Sequence, residues 1–181
     1  MRIISGNHRG RRLSPVKNLK ARPTTDRAKE SLFNILNNLV DFEDITVLDL
    51  FGGTGGISYE FASRGCENIT IIESSFNHVK YINKVSDELD FDLNVIKGDV
   101  FKFLKNTPQK FDVIFADPPF DMEGIENVPK LIFEHSILKD DGFLVLEHSD
   151  LFEFKNDLKP NNTRHYGKVC FSFFDKISED K

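Results

Sequence analysis

Hydrophobic positions along the chain fall into two kinds of run that alternate. Thr46-Val47-Leu48-Asp49-Leu50, Asn68-Ile69-Thr70-Ile71-Ile72-Glu73, Leu93-Asn94-Val95-Ile96, Phe111-Asp112-Val113-Ile114-Phe115-Ala116 and Gly142-Phe143-Leu144-Val145-Leu146-Glu147 are short apolar stretches. Strands covered on both faces read this way. Between them, apolar residues recur at helical spacing. One such segment covers about 56–64 and stops at Gly65, a residue suited to a helix C-terminus. Another covers about 75–89, with Phe76, Val79, Ile82 and Val85 on one side. Val100 to Leu104 predicts a short helix, and a further helix falls within about 125–137. Five such alternations predict a doubly wound α/β sheet.

The two ends differ from this core. Arg2-Ile3-Ile4 and Arg11-Arg12-Leu13 can pair as a hairpin around Gly6-Asn7-His8-Arg9-Gly10, with Pro15 and Pro23 marking its exit. Thr24-Thr25-Asp26 reads as a helix start. Leu32, Ile35, Leu36 and Leu39 then give a helix over about 25–39. A short helix is expected over about 150–157. Two strands within 163–176, split near Tyr166-Gly167, suggest an antiparallel edge. Two units follow: a basic arm, 1–23, and a main domain, 24–181.

Charge adds a partner. The chain carries a net −5, yet residues 1–30 hold nine Lys/Arg against two Asp/Glu, a net of +7. The remainder is −12. A basic arm on an acidic body suits a phosphate backbone. Arg9, Arg11, Arg12 and Arg22 are the candidate phosphate contacts, with Arg22 and Arg27 also suited to ion pairs with Asp26 or Glu30. Two cysteines, Cys66 and Cys170, are too few for a disulfide scaffold and are expected to be reduced. No apolar run reaches the length of a membrane span, and no secretory leader is evident. A cytoplasmic monomer is expected. The five histidines share no spacing and read as surface or turn residues.

Candidate chemistry begins after the first strand, at Phe51-Gly52-Gly53-Thr54-Gly55-Gly56. Glycines here permit positive φ and close backbone approach to a ligand. A phosphate-cradling loop needs Gly-Lys-Ser/Thr, which is absent. A dinucleotide fingerprint would need glycine where Ser58 stands. An S-adenosylmethionine loop remains, and Asp49 suits that ligand's cationic amino acid and sulfonium. Glu73, 20 residues after Gly53, ends the second strand, where a carboxylate can accept ribose hydroxyls. Asp99 can accept from an adenine amino group, with Val100 beside the ring, and can also cap the following helix. Phe51 is placed to line the pocket.

Asp117-Pro118-Pro119-Phe120 directly follows the fourth strand. Two prolines fix a turn and leave carbonyls available as acceptors. Asp117 and the Pro118 carbonyl can accept both N–H bonds of a planar amine, and Phe120 can stack on its ring. No metal-ligand spacing is present, so a metal-free methyl transfer to an exocyclic amine is expected.

The sequence of motifs (glycine loop, Glu73, Asp99, Asp117-Pro118-Pro119-Phe120) resembles class I S-adenosylmethionine-dependent amino-methyltransferases. Arg2-Ile3-Ile4-Ser5-Gly6, Arg9-Gly10-Arg11-Arg12-Leu13 and Arg22 through Asn34 resemble the RsmD family, over nearly the whole chain. That resemblance implies a Rossmann-like, mainly parallel seven-stranded sheet with an N-terminal hairpin. It implies transfer of a methyl group to guanine N2 in a loop of bacterial 16S rRNA, in the assembled or assembling small subunit. Asp117, Pro118 and Phe120 match its catalytic positions. Asp49, Gly52, Gly53, Gly55, Glu73 and Asp99 match its cofactor positions, and Thr24, Thr25 and Arg27 match a segment covering the cofactor pocket. Gly53 and Gly56 stand where the family more often has alanine. Rival readings are an adenine-N6 methyltransferase, a protein glutamine methyltransferase and a non-catalytic subunit-assembly factor.

Overall fold

A computed structural model describes residues 1–14, 25–119, 122–154 and 158–175. Its elements run α1 (Asp26–Leu36), β1 (Thr46–Leu50), α2 (Gly56–Ser63), β2 (Asn68–Glu73), α3 (Phe76–Leu89), β3 (Leu93–Lys97) and α4 (Val100–Asn106). They continue with β4 (Phe111–Ala116), α5 (Asn127–Glu134), β5 (Leu138–Ser149), β6 (Asn162–Tyr166) and β7 (Val169–Asp175). The seven strands form one sheet in the order β3-β2-β1-β4-β5-β7-β6. The first five are parallel, and β7 and β6 add antiparallel pairs at one side. The expected Rossmann-like architecture is the observed one.

Each strand sends alternate side chains to opposite faces, so two cores form. Val47, Phe115, Val145 and Phe171 pack with residues of α1, α2 and α3 on one face. Leu48, Ile114, Leu144 and Phe174 pack with α4 and α5 on the other. The sheet reverses its winding between β1 and β4, and ligands of open α/β sheets bind at such a switch point.

The N-terminal segment is not a free arm. Ile3 and Leu13 belong to the first core. The expected hairpin reduces to a single antiparallel bridge, Arg2 with Arg12, without extended strands. Gly6 adopts φ +80° against α2, where a Cβ would fall 1.7 Å from the Ser63 carbonyl oxygen. Only glycine fits there.

Four expectations need correction. The first helix ends at Leu36 rather than near 39. β5 begins at Leu138, four residues before the apolar run, where Leu138 pairs with Phe111 and packs into the second core. The helix expected over 150–157 is absent from its described part: 150–154 is turn and coil, while 155–157 lies outside the described residues. Phe152 and Phe154 pack their rings against His148, and Phe154 also meets Phe174. That spacing of two is not helical. His148 is therefore buried, not a surface residue.

Candidate active site

The carboxyl ends of β1, β2, β4 and β5 open on one cavity of about 740 Å³. Cavities of roughly 300–1,000 Å³ suit small ligands and cofactors. The β1–α2 loop forms its floor. Phe51 leaves β1 with φ +66°, a left-handed conformation that costs a non-glycine residue roughly 1–2 kcal/mol. Gly53 and Gly55 follow at φ +55° and +79°. A Cβ on Gly52 would stand 2.3 Å from Ile71 Cγ2, and one on Gly55 2.5 Å from the Tyr59 ring. Close packing within the protein therefore requires these glycines, in addition to any ligand.

Glu73 pins this loop. Its Oε2 accepts the Gly53 N–H at 2.7 Å and its Oε1 the Ser75 N–H at 2.7 Å. Oε1 also accepts from Ser74 Oγ at 3.5 Å, with His78 Nδ1 3.5 Å away, whereas Oε2 has acceptor capacity beyond the Gly53 N–H. Asp99 caps α4, accepting the Lys102 N–H at 2.9 Å, and lines the cavity as well. The anticipated helix cap is the observed one. Val100 is buried beside it. Thr25 caps α1 through the Ala28 N–H at 3.2 Å and stands at the cavity margin.

Asp49 is 2 % exposed, and Ser58 Oγ donates to its carboxylate at 2.5 Å. Burial, with the charges of Asp117 and Glu73, pushes the Asp49 carboxyl up to about 7 against that hydrogen bond. Asp117 is held well above the usual carboxylate range by burial and by the charge of Glu147. Pro118 is buried in the cavity wall. The Pro119 carbonyl is not available as expected, because it accepts the Met122 N–H at 2.9 Å. Phe120, Thr24 and Arg22 lie outside the described residues.

Acids thus dominate the cavity: Asp49, Glu73, Asp99, Asp117 and Glu147 all line it. Lys29 also lines it, but its ammonium is engaged by the Arg2 carbonyl at 2.5 Å and by Glu60 at 3.5 Å. Such a field favours a ligand with cationic groups and disfavours phosphates. Among the described residues no cluster of His, Cys, Asp or Glu could hold a metal ion. No described helix is long and apolar enough to cross a membrane.

The family model described as Conserved hypothetical protein 95 matches residues 1–175. The Bacillus subtilis protein YlbH is 34% identical over 97% of this chain and 99% of its own length. Ribosomal RNA small subunit methyltransferase D of Haemophilus influenzae is 33% identical over 81% of this chain and 78% of its own. The chain belongs to the RsmD family. A solved Escherichia coli structure, yhhF, aligns with TM-score 0.81 at 29% identity, covering 96% of each chain. The RsmD family membership agrees with the resemblance carried by the arm and the motifs.

In this RsmD-family chain the sheet gathers Asp49, Phe51, Gly52, Gly53, Glu73, Asp99, Val100, Asp117 and Pro118 around one cavity. The basic residues separate from it. Arg9, Arg11, Arg12 and Arg27 are exposed, and among the described residues Asp26 pairs with Arg2, at 3.4 Å, rather than with Arg27. Arg11 and Arg12 border a smaller cavity of about 260 Å³ beside Tyr81, Lys84 and Glu88 of α3. Sequence reasoning missed Ser58, Glu147 and Met1, all near the cavity. Glu147 carried the same signal as Glu73, an acid at a strand's carboxyl end. Ser58 and Met1 carried none, since only the fold brings them there.

Proposed function

We propose that this chain methylates the exocyclic N2 of a guanine in a loop of 16S rRNA, in the assembled or assembling small subunit, using S-adenosylmethionine. One observation carries the reading most: Asp117 and Pro118 share a single acid-lined cavity with the glycine loop. The acids fit a ligand bearing an ammonium and a sulfonium, and Glu73 and Asp99 fit its hydroxyl and amino donors. S-adenosylmethionine, when bound, supplies a methyl group on a sulfonium that departs as a neutral thioether.

The chain's own groups supply the rest. Asp49 and the β1–α2 loop hold the cationic end, Glu73 the ribose and Asp99 with Val100 the adenine. Asp117 and the Pro118 carbonyl accept the two N2–H bonds of the guanine and aim the nitrogen lone pair at the methyl. Asp117, whose proton affinity is raised, takes the proton that the amine sheds once the N–C bond has formed. Positioning of this kind supplies roughly 7–11 kcal/mol of a barrier. Phe120 stacks on the base. Arg9, Arg11, Arg12, Arg22 and Arg27 contact RNA phosphates, with residues 1–23 as the RNA-contacting unit and 24–181 as the transferase domain.

The test is incubation with labelled S-adenosylmethionine and small subunits lacking the modification, followed by digestion to nucleosides. Label in N2-methylguanosine is expected. Label in N6-methyladenosine would overturn the base assignment, and absence of label on both subunits and naked rRNA would overturn the substrate.

A further inference from the structure

The turn between β6 and β7 carries cations to the mouth of the cavity, on the side away from the arm. β6 runs antiparallel to β7, and β7 antiparallel to β5, so this turn stands at the carboxyl end of the parallel strands, where the cavity opens. Val169, the first residue of β7, is itself part of the cavity wall. Tyr166 and Val169 are register partners, which leaves Gly167 and Lys168 alone as the turn. Gly167 has φ +67°, the sign that the favoured two-residue loops need at that position. The Lys168 carbonyl accepts the Asp150 N–H at 3.2 Å, which ties the turn to the end of β5. Side chains alternate along a strand, so Arg164 shares a face with Tyr166 and its partner Val169.

Charge gives this turn a partner. Residues 158–174 hold Lys159, Arg164 and Lys168 and no Asp or Glu, although residues 31–181 carry a net −12. Arg164 and Lys168 are exposed, and among the described residues neither forms an ion pair with an acid. Cations on an edge strand discourage pairing with other chains. That purpose does not account for a lysine held in a fixed turn beside the cavity. The acids lining the cavity repel phosphates, so a strand whose base enters it needs cations at the rim. Arg11 and Arg12 stand beside α3, which packs on β2 and β3, whereas the turn lies beyond β5. The candidate reacting groups, at the ends of β1 and β4, fall between these two basic sites. We propose that Arg164 and Lys168 form a second phosphate-contact site for the substrate RNA, holding the strand on the β5 side of the cavity while the arm holds it on the β2 side. This deepens the RNA-methylation reading above and rests on it.

The test compares wild type with Arg164→Ala plus Lys168→Ala on naked 16S rRNA and on small subunits lacking the modification. Binding is read as a function of salt, and labelling from S-adenosylmethionine is read beside it. The double variant should lower the slope of log affinity against log salt by roughly 1 for each cation removed. Lys105→Ala plus Lys110→Ala removes the same charge from exposed positions near the end of α4 and the start of β4, at the opposite end of the sheet, and should leave the slope unchanged. S-adenosylmethionine affinity, read by calorimetry, should stay within about threefold of wild type, because neither Arg164 nor Lys168 lines the cavity. Adding Arg11→Ala and Arg12→Ala should give the sum of the two slope changes, as separate contacts to one strand do. An unchanged slope, or an equal fall in the control variant, would overturn the second site alone. Lost labelling of subunits with an unchanged slope on naked rRNA would assign the turn to a protein partner and overturn it as an RNA contact. A wild type that neither binds nor labels either substrate would overturn the parent reading with it, and the wild-type assay shows which has failed.

Discussion

Glu60 and Asp49 are both almost fully buried, yet their surroundings are opposite. Glu60, on α2, accepts the Ile4 and Ser5 N–H groups at 2.9 and 3.0 Å and the Arg64 guanidinium at 3.0 Å. Lys29 lies 3.5 Å away, itself 2 % exposed. Asp49 has one hydroxyl partner, Ser58, and the neighbouring charges of Asp117 and Glu73 share its sign. The Glu60 site is satisfied within the protein and ties the arm to α2 and α1. Asp49 is left with a deficit that a cationic ligand would fill. Buried charge by itself therefore says nothing about function; the sign and completeness of what surrounds it does.

The largest expected effect breaks the satisfied side. Glu60→Ala strands the Lys29 ammonium and two arm N–H groups, and should cost about 3–5 kcal/mol in denaturant unfolding. Hydrogen exchange should rise across residues 1–14. A loss below about 1 kcal/mol would show that the arm is held by Ile3 and Leu13 packing instead.

The opposite result is expected at the other site. Asp49→Asn keeps the Ser58 contact and removes the penalised charge, so the ligand-free protein should gain roughly 2–4 kcal/mol at pH 8. Between about pH 4 and 7 the folded chain holds a proton that the unfolded chain has released. The penalty therefore grows as pH rises and is complete above about 7, so the gain should be small at pH 5. Equal gains at both pH values would point to packing rather than charge.

Ligand binding sharpens the contrast. Affinity for S-adenosylmethionine should fall up to tenfold per pH unit below about 7, as Asp49 takes up its proton, and titration calorimetry at pH 5 to 8 reads this. A flat profile would remove Asp49 from the cationic end of the site. The smallest effect lies on the exposed basic surface. Arg11→Ala with Arg12→Ala should lower the slope of log affinity against log salt for rRNA by roughly 1–2. An unchanged slope would take these two residues out of the interface.

How much was legible follows from the range of each signal. β1, β2 and β4 are legible nearly to the residue because a strand buried on both faces must be apolar throughout, whereas β3, at the sheet edge, is only partly buried. The start of β5 is not legible because Lys139, Asp140 and Asp141 look like loop, and they fall at an irregularity between the Phe111–Leu138 and Val113–Phe143 pairs. The coil at Phe152 and Phe154 is not legible because Phe154 is held by Phe174 of β7, a partner 20 residues further along the chain. The glycine loop and Asp117-Pro118 were visible because short-range backbone constraint writes itself into sequence. Glu60 and Lys29 were invisible as a pair: 31 positions separate them, and each alone resembles a surface charge.

The sequence alone determined the alternation of strands and helices, the two tight turns that carry the candidate chemistry and the acids at the strand ends. Those are local matters, set by period, by φ and by which residues lack an N–H or a Cβ. Tertiary structure alone decided which acids meet. Sheet order brings β1 between β2 and β4 and sets β5 beside β4, so Asp49, Glu73, Asp117 and Glu147 converge although up to 98 residues separate them. Burial then made one carboxylate a structural tie and another a charge awaiting a partner, because the electrostatic cost of a buried group depends on its neighbours in space.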